Sequence, residues 1–190
     1  MPSSLNGPRH LTMYLLCVTF ALFLLQPAIH AQSNDHSLSS AEIEKMRDTA
    51  YYPNQRVELF IKLLDDRAKA IDDLFAHPRK PGREQDAHDL LEQFNSIANE
   101  LEDNLDDYST RHRDVRKSLP KLIDATERWS SAIKTPPDDQ AYNVSRRLAL
   151  EAIRDIHDDT ADLITEQKTW FAAHPPPKED KNNGVIDIPR

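Results

Sequence analysis

The chain has 190 residues, a formal net charge of −8 and only 3 glycines. This length fits one domain of about 100–200 residues, and the acidic balance (24 basic against 32 acidic residues) disfavours nucleic acid, which proteins bind through clustered Lys and Arg. Since tight turns and bulges in sheets use glycine, its scarcity argues against a sheet-rich fold and favours helices joined by few loops.

The first predicted element is a secretory signal peptide, residues 1–31. Arg9 precedes the uncharged apolar stretch LTMYLLCVTFALFLL, and Ala31 follows it after a short spacer. A basic start, an apolar core shorter than the about 20 residues that span a bilayer, and a small residue at the cut are typical of a cleaved leader. We therefore expect cleavage between Ala31 and Gln32, a periplasmic or secreted protein, and no permanent membrane anchor.

Removal of the leader also removes Cys17, the one cysteine of the chain. An exported protein without cysteine has no disulfides, so its hydrophobic core must supply its stability. Thiol catalysis and covalent haem attachment through cysteines are excluded for the same reason.

Next come a polar leader at residues 32–38 and a predicted helical domain at 39–174. Ser39 and Glu42 have the spacing of a capping box, which opens a first helix. Pro53 interrupts this helix, and an apolar stripe at helical spacing resumes after it: Val57, Ile61, Leu64, Ala68, Ile71 and Phe75. The stretch HPRKPGR, with two prolines and a glycine, ends the helix.

A second apolar stripe continues without glycine and without losing phase across the middle of the chain. Because a turn would have no reason to preserve that phase, we expect one helix from about Glu84 to Lys134, kinked at Pro120. The alternative is a turn near residues 109–113, with Pro120 in the first turn of a separate helix.

The last predicted helix runs from about Asp139 to Ala173, with Asp138 as its N-cap. Residues 175–190 are rich in proline and charge, which predicts a disordered tail. The side chains that we expect to be most deeply buried are Phe60, Ile61, Leu64, Phe94, Leu101, Leu122, Trp129, Leu148, Ile156 and Leu163.

The predicted fold class is all-α. We expect an antiparallel bundle of three long helices with coiled-coil-like seams, the first helix being interrupted at Pro53. A four-helix bundle with a turn near residues 109–113 is the alternative.

Motifs for metal and hydrolytic chemistry are missing from the sequence. Di-iron bundles need Glu-x-x-His pairs, zinc protease helices need His-Glu-x-x-His, and many hydrolases need Gly-x-Ser-x-Gly. A non-covalent haem between Met46 and His157 is the one cofactor alternative, because bundles can ligate haem through a Met and a His on different helices. Ordinary packing explains both residues, so we predict no metal, no cofactor and no enzymatic activity.

The stretch YYPNQR places Tyr51, Tyr52, Asn54 and Arg56 around the break at Pro53. We expect it mainly to form a helix junction, in which one tyrosine packs on the bundle and the polar side chains bond to nearby groups. The alternative is an exposed patch for a protein partner, since Tyr and Arg dominate binding hot spots.

Three stretches carry a resemblance to a known group of proteins: YYPNQRVELFIKLLDDRAKAIDDL, LEDNLDDYSTRHRDVRKSLPKL and ATERW. Together they resemble an uncharacterised family of bacterial exported all-helical proteins. The resemblance implies export and helical content but no particular activity. We therefore expect an exported, non-enzymatic helical bundle of structural or protein-interaction type, with a periplasmic small-ligand or haem-binding bundle as the alternative.

Overall fold

The computed structural model describes residues 37–175 and has five helices and no strand in that part of the chain. In chain order they are α1 (Ser40–Asp48), α2 (Pro53–Ala76), α3 (Arg83–Thr110), α4 (Leu119–Lys134) and α5 (Asn143–Ala173). The predicted all-α class is therefore confirmed over this range. The predicted signal peptide, its cleavage site between Ala31 and Gln32, and residues 176–190 of the predicted tail lie outside the described residues.

The short helix α1 and the break after it form as predicted. The N–H of Ser39 donates to Glu42 Oε2 at 2.7 Å and the N–H of Glu42 donates to Ser39 Oγ at 3.4 Å, which completes the capping box. Met46 is the buried residue of α1 and joins the core. α2 then begins at Pro53, because the fixed φ of proline suits the first turn of a helix.

The four long helices pack as a closed ring. α2 contacts α3 and α4, and α5 also contacts α3 and α4, whereas the consecutive helices α3 and α4 do not contact each other at the backbone level and lie on a diagonal. α1 packs on α2. Each long helix therefore turns its apolar face toward a core that all four share.

Pairs of charged side chains show the directions of the helices. Glu58 of α2 pairs with Lys121 of α4, and Asp65 pairs with Arg128 further along both helices, so α2 and α4 run parallel. Hydrogen bonds of the other pairs make α3 and α5 parallel to each other and α3 antiparallel to α2. The start of α2, the end of α3, the start of α4 and the end of α5 consequently meet at one end of the bundle.

The prediction of one kinked helix from Glu84 to Lys134 is wrong. α3 ends at Thr110, and α4 begins at Leu119. Residues 111–118 between them cross the end of the bundle from one corner of the ring to the diagonal corner, and we call them the crossing segment.

The crossing segment preserves the apolar phase although it is not helical. His112 has a left-handed φ of 50°, which interrupts the helix. Val115 and Ser118 are fully buried, because the segment lies against the end of the core. Pro120 lies in the first turn of α4, as the alternative with a turn near residues 109–113 predicts.

Nine of the ten side chains predicted to be most deeply buried are buried, and Leu148 is the exception, with 44% of its surface exposed. The predicted N-cap Asp138 is also wrong, because α5 begins at Asn143 after the N-cap residue Tyr142. Tyr142 is buried, donates to the Pro137 carbonyl at 2.5 Å and packs on Phe75. α5 begins directly after this anchor, and its buried side chains, among them Ser145 and Ala149, leave Leu148 outside the inner face.

Candidate functional site

Asn54 of the predicted patch bonds to the crossing segment instead of facing solvent. Its Nδ2 donates to the Asp114 carbonyl at 2.7 Å. Its Oδ1 accepts from the N–H of Ser118 at 3.1 Å and from the Ser118 hydroxyl at 3.2 Å. The Asn54 amide thus bonds to the carbonyl of Asp114 and to the N–H of Ser118 in the crossing segment. One side chain can do this only if it carries both a donor and an acceptor.

Gln167 of α5 does the same from the opposite side of the crossing segment. Its Nε2 donates to the Arg113 carbonyl at 2.7 Å, and its Oε1 accepts from the N–H of Val115 at 3.1 Å. Gln167 is itself buried. Sequence reasoning placed Gln167 on the inner face of the last helix but did not find this role, although a glutamine in an apolar stripe is the signal for it.

Arg56 joins three helices at the same end of the bundle. Its guanidinium donates to the Met46 carbonyl of α1 at 2.9 Å, and to Asn104 Oδ1 at 2.8 Å and Glu100 Oε1 at 3.1 Å, both of α3. The guanidinium carbon also lies 5.5 Å from the centre of the Phe60 ring, within the range of a cation–π contact. Arg56 and Asn54 therefore bond to nearby groups, as expected for a helix junction.

Tyr51 and Tyr52, which we call the tyrosine pair, point away from the bundle. Their exposed fractions are 83% and 56%, so the expectation that one of them packs on the bundle is wrong. Tyr52 is the N-cap residue of α2, with φ −119° and ψ 83°, a conformation outside the helical region that suits a residue before proline. The tyrosine pair is thus exposed at the helix break. The hydrogen bonds of Asn54 and Arg56 hold the start of α2 next to it in place.

Aromatic rings and basic side chains extend this surface beyond the tyrosine pair. The rings of His112 and His174 stack on the two faces of Trp170, with centroid distances of 3.6 and 4.0 Å. Arg116 lies over the ring of Phe171 at 4.3 Å. The crossing segment itself carries four basic residues and one acidic residue, in a chain whose net charge is −8.

Removing the Asn54 side chain tests how the crossing segment is held. We expect Asn54→Ala to lower the free energy of unfolding by about 1–3 kcal/mol, because the Asp114 carbonyl loses its donor and the buried Ser118 keeps only the Val115 carbonyl as an acceptor. Urea unfolding followed by circular dichroism measures the change. Asn54→Asp is the matched variant: it keeps the acceptor for Ser118 but places a carboxylate oxygen against the Asp114 carbonyl in place of the donor, so at neutral pH it should cost at least as much as alanine. A cost clearly below that of alanine would contradict this role.

Met46 and His157, the predicted haem alternative, are not brought together. Met46 lies on α1, which packs on α2, and α2 does not contact α5. His157 lies on α5 beside Arg154, at the edge of a mainly apolar groove of about 410 Å³ between α4 and α5, here called the α4–α5 groove. The fold therefore does not support a haem ligated by these two residues.

A serine, a histidine and a glutamate meet between α3 and α5 and resemble a catalytic triad in composition only. Ser145 Oγ lies 3.0 Å from His88 Nδ1 and donates to Glu92. In a triad the histidine lies between the serine and the acid, whereas here the serine lies between the other two. Ser145 is also buried in the first turn of α5, so a substrate has no access to its hydroxyl.

Carboxylates are close together further along the α3–α5 interface, in the C-terminal half of both helices. A cleft of about 170 Å³ is lined by Asp106, Asp159, Asp162 and Glu166. Burial raises the pKa of Asp159, and the neighbouring carboxylates Asp155 and Asp162 raise it further. Burial likewise raises the pKa of the adjacent Glu102. These groups repel one another at neutral pH, which makes the interface less stable than its apolar contacts alone would allow.

Residues 37–175 contain neither a cluster of metal ligands nor a membrane-spanning helix. No three His, Asp or Glu side chains are grouped there as ligands of one metal ion. No helix in the same range has both the length and the apolar character needed to cross a bilayer.

Comparison of the chain with protein-family models, curated proteins and solved structures found no match. The resemblance to bacterial exported helical proteins therefore stays a prediction.

Proposed function

We propose that the chain is an exported, non-enzymatic four-helix bundle that binds another protein through one end. The binding surface consists of the tyrosine pair and the crossing segment, and we call it the basal surface. The observation that carries this proposal is the exposure of Tyr51 and Tyr52, 83% and 56%, directly before the residues that anchor the start of α2. The closed ring of four long helices supports the four-helix scaffold.

The exposure of two adjacent tyrosine rings to water is unfavourable unless a partner covers them. Tyrosine is enriched at binding hot spots, because it buries a large ring with little loss of side-chain entropy and keeps a polar hydroxyl. The base of the pair is already ordered by the bonds of Asn54 and Arg56. Ordered contacts lower the entropic cost of association, so this end of the bundle is better suited to binding than a flexible loop.

The charge of the basal surface indicates the chemistry of the partner. Among residues 37–175, Arg113 and Lys117 form no ion pair, and both are exposed on the crossing segment. Unpaired basic groups beside exposed aromatic rings are complementary to a protein with an acidic patch. The partner that we propose is therefore an acidic protein in the exported compartment.

Site-specific crosslinking tests the proposal. A photo-reactive phenylalanine analogue in place of Tyr52 should give one discrete adduct in exporting cells, and mass spectrometry should identify an acidic protein in it. With that protein purified, we expect the charge reversals Arg113→Glu and Lys117→Glu to weaken binding at least about tenfold, as the loss of complementary charges would require.

The matched control for the tyrosine pair is Val144→Ser, which removes another exposed apolar side chain at the opposite end of the bundle. The double variant Tyr51→Ala, Tyr52→Ala should abolish binding of the purified partner and change the free energy of unfolding by no more than about 0.5 kcal/mol, as expected for surface positions. Undiminished binding by the tyrosine variant, or an equal loss with Val144→Ser, would contradict the proposal.

A further inference from the structure

Within residues 37–175, four arginine side chains are largely buried, and one of them has fewer acceptors than the others. Arg56, Arg67, Arg83 and Arg146 expose 17%, 12%, 17% and 15% of their side chains. The guanidinium groups of the other three each bond to at least three acceptor atoms. Arg83 has a single acceptor among residues 37–175, Glu84 Oε1 at 3.3 Å, and its buried Nε has none.

An under-bonded guanidinium in this position calls for an explanation. The group carries five N–H donors, and buried donors without acceptors are rare because each costs free energy. Glu84 does not compensate Arg83 fully, since the same oxygen also accepts from Arg79 at 3.1 Å. Nη1 of Arg83 also has no acceptor among residues 37–175 and, unlike Nε, is not a buried atom, so it is free to donate to an anion.

The position of Arg83 is fixed by its neighbours. Gly82, the residue before it, has a φ of 87°, which a side chain would disfavour, and this turn starts α3 directly at Arg83. The guanidinium carbon lies 4.7 Å from the centre of the Phe75 ring, a stacking distance for arginine on an aromatic face. Arg83 is thus held at the junction of α2 and α3, at the end of the bundle opposite the basal surface.

Arg83 lines a cleft of about 300 Å³ at this junction, which we call the α2–α3 cleft. Its apolar lining comes from Ala70, Leu74 and Pro78, and Lys80 stands on its rim. Lys80 forms no ion pair among residues 37–175. A cleft with an apolar wall and a few convergent polar groups is the usual form of a small-molecule site.

Two carboxylates on the rim limit the charge of the ligand. Asp73 is already paired with Lys69 at 2.7 Å, so its charge is compensated. Asp86 has no such partner among the described residues and would repel a second negative charge on the ligand. The charge balance of the cleft consequently favours a monoanion over a dianion such as a phosphate monoester.

We propose that the α2–α3 cleft binds a small organic monoanion with an aromatic or aliphatic body. The anionic group lies between Lys80 and Arg83, and the apolar body packs on Ala70, Leu74 and Pro78. This site is separate from the basal surface, so the proposed ligand does not depend on the protein partner proposed above.

A pair of fluorescent probes tests the site in the folded protein. 8-Anilinonaphthalene-1-sulfonate is an aromatic monoanion, and N-phenyl-1-naphthylamine is the same ring system without the sulfonate. We expect the sulfonate to bind at one saturable site per chain, with an affinity that falls as salt is added. Arg83→Gln and Lys80→Gln should each weaken it by about tenfold, as the loss of a charge-assisted hydrogen bond does, and should leave the neutral probe unchanged.

Arg154→Gln is the matched control, because it removes the same charge beside the α4–α5 groove, the other mainly apolar concavity. Its affinity for the sulfonate should equal that of the unaltered protein. Lys80 is exposed, so Lys80→Gln remains informative even if Arg83→Gln loses stability. Unchanged sulfonate binding in Lys80→Gln, or an equal loss in Arg154→Gln, would overturn the proposal.

Discussion

Replacing Trp129 with alanine should lower the free energy of unfolding by about 3–5 kcal/mol, the usual range for a large buried aromatic residue. Trp129 of α4 is fully buried. Its ring meets Phe94 of α3 edge-on at 5.8 Å, which bridges the diagonal of the ring of helices. Its Nε1 donates to Asp65 Oδ1 of α2 at 2.7 Å. One side chain thus connects three helices, two of which have no other contact at the backbone level.

Trp129→Phe separates packing from hydrogen bonding. It keeps a ring against Phe94 and loses the bond to Asp65, which retains Arg128 as a partner, so it should cost less than half as much as alanine. Urea unfolding by circular dichroism measures both variants. A domain of this size has a stability of about 5–15 kcal/mol, so the alanine effect is a large fraction of the total. Equal losses in the two variants would show that the bond to Asp65, and not the packing of the ring on Phe94, carries the effect.

The sequence predicts most helices of this protein because their stability is encoded locally. The capping box of Ser39 and Glu42, the start at Pro53 and the loop before Arg83 each depend on residues within a few positions of one another. The apolar stripe of α2 needs only the 3.6-residue period of the helix. Local propensity and apolar period agree in these elements, so they could be identified without tertiary information.

The crossing segment could not be predicted in this way, because distant residues hold it. Val115 is buried in the crossing segment, and a continuous helix in the same apolar phase would bury it too. The apolar phase therefore cannot distinguish a helix from a segment that lies across the end of the core. The bonds that favour the second arrangement come from Asn54 and Gln167, which are more than 50 positions away in the chain. Their contribution appears only once the helices have packed.

In the predicted patch, too, the polar residues could be predicted and the aromatic residues could not. The polar side chains Asn54 and Arg56 were expected to bond to nearby groups, and they form such bonds at the helix junction. That neither ring of the tyrosine pair packs on the bundle could not be predicted from adjacent positions, because it depends on how the separate helices pack around the break. The unused donors of Arg83 are likewise visible only by comparison with the other largely buried arginines.

The second large effect expected is a loss of stability in acid through Glu42. Its carboxylate is bonded to Arg67 by two hydrogen bonds, of 2.6 and 3.0 Å, and both side chains are largely buried. The Arg67 hydrogen bonds, with those of Ser39, lower the pKa of Glu42 from 4.5 to about 2. Arg67 also donates to Gln93 of α3 at 3.1 Å, so this ion pair connects α1 with two helices of the bundle.

A lowered pKa stabilises the folded state only while the carboxyl is ionised. The contribution of Glu42 is therefore complete above pH 4.5 and is lost as the pH falls toward 2, because the unfolded chain takes up the proton first. The change corresponds to about 3 kcal/mol. Glu102 and Asp159 act in the opposite direction, since their pKa values are raised and their protonation relieves repulsion as the pH falls.

The difference in unfolding free energy between the unaltered protein and Glu42→Gln isolates the Glu42 contribution, because Glu102 and Asp159 are present in both. We expect this difference to be constant from pH 7 to about 5, and to shrink by about 3 kcal/mol by pH 2.5. Glu58→Gln, at an exposed pair with Lys121, is the control and should change by less than about 1 kcal/mol over the same range. Parallel pH profiles for the unaltered protein and Glu42→Gln would mean that the Arg67 pair does not anchor α1, and that the capping box with Ser39 is what holds this helix in place.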